Sequence, residues 1–76
     1  MPSETELISA CREYLRDHYG EELVSYDILS DKVDDDGDGS LKIEAVVRTG
    51  GPTSRWQKTF SFHAGDVTDM KWRYLG

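Results

Sequence analysis

The sequence predicts an α+β fold: one N-terminal helix packed across a four-stranded antiparallel meander sheet, in the order α-β-β-β-β. Three observations lead there. The first twenty residues carry apolar side chains at helical spacing, and after Gly20 the apolar period falls to two. The alternating stretches are joined by short polar or glycine-bearing segments, which bring consecutive strands together as antiparallel neighbours. At 76 residues the chain reads as one domain spanning 1–76. A domain of that size buries only about 60% of the surface its unfolded chain exposes, so little side-chain volume is left to line a deep cleft.

The helix is expected over about residues 4–19. S-E-T-E at its start has the form of a capping box, with Ser3 accepting from the amide of Glu6 and acids in the first turn. Leu7, Ile8, Cys11, Tyr14, Leu15 and Tyr19 make its apolar stripe, and His18 falls within that stripe. Gly20 stands where a left-handed residue ends a helix.

The strands are expected over about 22–33, 40–49, 55–63 and 70–75. In the first, Val24, Tyr26 and Ile28 share the inward phase. In the second, Leu41, Ile43, Ala45 and Val47 alternate cleanly with polar residues, apart from Val46. G-G-P-T-S at 50–54 is a turn by composition. The third strand places Trp56, Phe60 and Phe62 inward, with Lys58 among them near an edge. The fourth adds Met70, Trp72 and Tyr74, and H-A-G-D-V-T-D before it reads as a connection. These aromatic residues are expected to build the core. The element order resembles that of cystatin-like and related helix-on-sheet folds, a likeness of architecture that implies nothing about activity.

Charge is divided unevenly. Residues 1–39 hold twelve acids and three bases, and residues 40–76 hold three acids and six bases. The halves carry −9 and +3, which together give the net −6 of the chain. Such opposed poles bear on partners, not on fold. The single Cys11 cannot form an internal disulfide and reads as a small buried hydrophobe. No apolar run is long enough to span a bilayer, so the expectation is a cytoplasmic protein without a membrane anchor.

D-D-D-G-D-G-S-L, residues 34–41, invites a calcium reading. Asp34, Asp36 and Asp38 stand at alternate positions before Gly39, as oxygen ligands do in an EF-hand loop. The closing ligands are missing: the ninth position is Lys42, and the twelfth is Ala45 instead of a bidentate Glu. Both flanks also read as strands, and Asp-Gly pairs suit a hairpin tip. A weak Ca2+-binding module through these three aspartates is therefore the second reading of the chain, and no other cofactor is expected.

The first reading is a small non-catalytic protein-interaction domain. With the strand phases above, the outer sheet face displays Lys42, Arg48, Arg55, Gln57, His63, Lys71 and Arg73, with Glu44 the only acid. That face fits an acidic protein partner, the chain itself being a monomer or a weak homo-oligomer. Nucleic acid fits less well, because single-strand binders need outward-facing aromatic rings and the chain as a whole is acidic. No nucleotide-binding, hydrolase-nucleophile or zinc-ligand spacing occurs, so an enzyme is not expected.

Overall fold

A computed structural model describes residues 3–76, as a helix α1 (Glu4–Tyr19) followed by strands β1 (Glu22–Val33), β2 (Gly39–Arg48), β3 (Thr53–His63) and β4 (Asp66–Tyr74). The strands form one antiparallel sheet in sequence order, so β1 and β4 are its edges. Among the described residues no helix is long and apolar enough to cross a membrane.

The helix begins as its sequence predicts, with Ser3 Oγ accepting from the Glu6 amide at 3.2 Å. It ends at Gly20, whose φ of 63° is the left-handed region where glycine carries no Cβ penalty. The Gly20 amide donates to Arg16 O, and the next amide, that of Glu21, donates to Leu15 O. Glu21 is thereby held directly under the helix end. Leu7, Ile8, Cys11 and Leu15 pack onto Leu23, Leu41, Ile43, Ala45, Val47, Phe60, Phe62 and Met70 of the sheet to form the core.

Three expectations about the strands are corrected. In β1 the inward residues are Leu23, Tyr26 and Ile28, and Val24 is exposed. Register shifts fall between Leu23 and Ser25 and between Ile28 and Ser30, so Val24 and Leu29 are bulged out of the ladder. Each bulge absorbs the second member of an apolar doublet and restores the alternation beyond it. Lys58 is not near an edge but in β3, a central strand, facing the helix side. Strand β4 begins four residues earlier than the alternation suggested, because Ala64 and Gly65 alone make the turn, both at positive φ. That geometry suits a two-residue hairpin, but Ala is an unusual occupant and gives little sequence signal.

The turns at one end of the sheet are fitted together. Gly65 donates its amide to Gly37 O at 3.0 Å, tying the β1–β2 loop to the β3–β4 turn. A Cβ on Gly37 would fall 2.3 Å from Gly65 N, and one on Gly39 would fall 1.9 Å from Lys32 O. These glycines permit close backbone approach. Gly39→Ala combines that clash with a φ of 136° and is expected to destabilise by at least the 1–3 kcal/mol typical of a strained backbone, roughly. Gly51→Ala, with open space around its Cα, should change stability by less than about 0.5 kcal/mol. Urea unfolding of the two variants checks the contrast.

Candidate functional site

The outer sheet face can be assembled row by row from the register. One row reads Ser30, Lys42, Thr59, Lys71; the next reads Asp27, Glu44, Gln57, Arg73; beyond it stand Ser25, Val46 and Arg55. The structure thus brings Lys42, Arg55, Gln57, Lys71 and Arg73 together. Arg48 lies at the far end opposite Thr53 and Glu22, and His63 is drawn away to the turn beside Asp38. Glu44 is not the only acid on this face. Asp27 and Glu22 on β1 and Asp69 on β4 share its phase, and Glu44 itself contacts Arg55. The face is mixed: Glu22, Asp27 and Glu44 lie on β1 and β2, while on β4 Lys71 and Arg73, which form no ion pair among the described residues, share the strand with Asp66 and Asp69.

The acidic loop does not gather its carboxylates around a common point. Asp34 Oδ1 accepts from the amides of Asp36 and Asp38, both at 3.0 Å, which closes the loop on itself. Asp38 Oδ1 turns the other way, accepting from the Ala64 amide at 2.9 Å and lying 3.0 Å from His63 Nδ1. Asp36 makes neither contact. Among the described residues no three His, Cys, Asp or Glu side chains assemble as a metal site. The carboxylates of Asp34 and Asp38 close and clasp the hairpin ends.

The helix side holds an arrangement that the sequence left unassembled. Lys58 is only 2% exposed, and its Nζ lies 3.0 Å from Oε1 of Glu21, which is itself 12% exposed. The contact has ion-pair distance without hydrogen-bond alignment, and that buried oxygen receives no donor. The ammonium also sits 5.1 Å from the centre of the Trp56 ring and 5.8 Å from that of Tyr19, within cation–π range. Tyr19, Glu21, Trp56, Lys58 and Trp72 line a cleft of about 130 Å³.

Beyond the cleft, aromatic side chains continue to the sheet corner. Trp56 meets Trp72 edge-on with ring centres 5.3 Å apart, and meets Tyr74 at 4.8 Å. Trp56 is half-buried and its indole N–H donates to Ser54 Oγ. Trp72 and Tyr74 do not join the core as their phase suggested, being 57% and 60% exposed. The reason is coverage: α1 ends at Tyr19, before the corner that they occupy.

Other reactive side chains are committed elsewhere. Cys11 lies in the core, and burial pushes its thiol up to about 12, so it stays protonated at neutral pH. His18 is exposed, not packed on the sheet, and stacks on Tyr14 with ring centres 4.3 Å apart. Glu21 and Lys58 are the residues that sequence reasoning missed as a site. A lysine in the inward phase of W-Q-K-T-F-S-F does signal a buried cation needing a partner. Nothing in the sequence marks Glu21 as that partner. Set against protein-family models, curated proteins and solved structures, the chain matches none of them.

The pair sets a clear energetic expectation. Removing one member strands the other, at a typical cost of about 3–5 kcal/mol, whereas removing both relieves that penalty. Lys58→Met alone should therefore destabilise more than Lys58→Met combined with Glu21→Gln. A double-mutant cycle by denaturant unfolding measures this, with a coupling of about 0.5–3 kcal/mol expected.

Proposed function

We propose that the chain is a non-catalytic interaction domain that binds an extended acidic segment of another protein by strand addition to β4. One observation carries this reading. The open edge β4 presents the cations Lys71 and Arg73 on one face and the exposed rings of Trp72 and Tyr74 on the other. An added strand gains main-chain hydrogen bonds from the edge, while its alternate side chains address the two faces separately. Acidic residues would meet Lys71 and Arg73, and apolar residues would lie against the aromatic corner.

The two edges differ in a way that favours β4. Bulges at Val24 and Leu29 interrupt β1, a device that blunts an edge against pairing. The register of β4 shifts only near its start, beyond Ser61, and its pairing runs unbroken from Asp69 to Tyr74. Backbone contacts continue through Leu75 and Gly76 against Arg55. Antiparallel pairing of β4 with β4 of a second copy sets like charges opposite one another only in registers that oppose Lys71 and Arg73 to themselves.

The test uses 15N-labelled protein and the synthetic peptide Glu-Val-Glu-Val-Glu-Val-Glu. Amide shifts should move along residues 66–76 and over Trp56, with little change in β1, and the affinity should fall as salt is raised. Reversing charge with Lys71→Glu and Arg73→Glu should weaken binding about tenfold or more, corresponding to roughly 1.4 kcal/mol. Shift changes confined to β1, or unaffected by the reversal, would remove the proposal.

A further inference from the structure

Charge changes sign along the outer face of β4. Asp69 is followed there by Lys71 and Arg73, all three exposed. Their neighbours across the β3–β4 ladder are Ser61, Thr59 and Gln57, none of which carries a charge. Glu44, by contrast, is answered within the sheet by Arg55. Among the described residues Asp69, Lys71 and Arg73 form no ion pair. A residue in a sheet has a cross-strand neighbour on each side, and for these three the place still to be filled lies on the open side of β4.

A uniformly acidic segment suits two of these positions and not the third. Glutamate opposite Lys71 or Arg73 is attracted, whereas glutamate opposite Asp69 sets like charges face to face. A base at that place turns the repulsion into attraction. The pleat fixes the spacing: residues 69, 71 and 73 share a face, so the charged residues of the partner also fall two apart. Apolar residues between them then lie on the side of Trp72 and Tyr74. Direction follows from the sheet, whose three ladders are all antiparallel, the pairing that is more stable per residue. An antiparallel segment meets Arg73 first, Lys71 next and Asp69 last.

We infer that β4 selects the order of charges in its partner: a segment of another protein that runs acid, apolar, acid, apolar, base from N- to C-terminus and lies antiparallel along the edge. The inference rests on the strand-addition reading and deepens it, giving the segment a direction and a base opposite Asp69. Asp69 thereby determines specificity, while Lys71 and Arg73 supply the attraction to acids.

Three heptapeptides, capped at both ends, test the inference by titration into 15N-labelled protein. Val-Glu-Val-Glu-Val-Lys-Val should bind about threefold or more tightly than Val-Glu-Val-Glu-Val-Glu-Val, despite its smaller negative charge. It should exceed by a similar factor Val-Lys-Val-Glu-Val-Glu-Val, which has the same composition in reverse order. In the variant Asp69→Asn the preference for Lys over Glu at the sixth position should disappear, and in Asp69→Lys it should invert. A nitroxide at the N-terminus of the first peptide should broaden the amides of residues 74–76 and spare those of 66–68. Equal affinities for the three peptides, with shifts still running along β4, would overturn the charge order and leave strand addition standing. Broadening at 66–68 instead would overturn the antiparallel direction and the pattern built on it. Absence of shifts along β4 with all three would remove strand addition itself, and the charge order with it.

Discussion

One helix has to cover the single apolar face of a four-stranded sheet, and most features of this protein follow from how far it reaches. Sixteen helical residues span about 24 Å at about 1.5 Å each, while the molecule is 37 Å along its longest axis. Leu7, Ile8, Cys11 and Leu15 seal the sheet over Leu41, Ile43, Phe60 and Met70. At Tyr19 the cover stops. The inward positions of β3 and β4 beyond that point are filled by side chains suited to a boundary. Trp56 is half-buried, and Trp72 and Tyr74 lie open. Lys58 is caught where cover gives way to solvent, and its charge demands a partner because an unpaired buried ammonium is costly. The left-handed Gly20 turns the chain so that Glu21 supplies it. Helix termination and ion pairing are thus one local event.

The same economy governs the edges and the loops. Among the described residues one helix covers one sheet face and no other element covers the edges, so the strands must protect themselves. Strand β1 does so by extruding Val24 and Leu29, while β4 carries alternating cations and rings. At the far end the two tight connections support each other through Gly37 O, Gly65 N and the Asp38 carboxylate. Acidic side chains that resemble a ligand set in sequence are thereby used to hold turns.

Much of the fold was legible because its signals are local. Ser3 and Gly20 marked both helix ends, and the alternation of Leu41, Ile43, Ala45 and Val47 fixed the phase of β2. The misreadings arise where local and tertiary demands part. The doublets Leu23-Val24 and Ile28-Leu29 break a period of two, and only pairing with β2 decides which member is extruded. The early start of β4 was hidden because Asp66 and Asp69 are poor strand formers, tolerated here at an edge. Phase correctly put Trp72 and Tyr74 on the helix side, but phase says nothing of how far a helix extends over that side. The candidate site was less legible still. Outward cations could be counted from the alternation, and so could Asp27 from the inward phase of Tyr26 and Ile28, whereas Glu22 joined that face only through the bulge at Val24. The Lys58–Glu21 pair joins residues 37 positions apart in sequence.

The central claim is that α1 leaves the β3–β4 corner open, with Trp72 outside the core and Trp56 at its margin. Acrylamide quenching of single-tryptophan variants tests it most directly. With Trp56→Phe, the remaining Trp72 should be quenched nearly as fast as a free tryptophan amide. With Trp72→Phe, the remaining Trp56 should be quenched several-fold more slowly. If Trp72 proved as shielded as Trp56, the corner would be covered and the account contradicted.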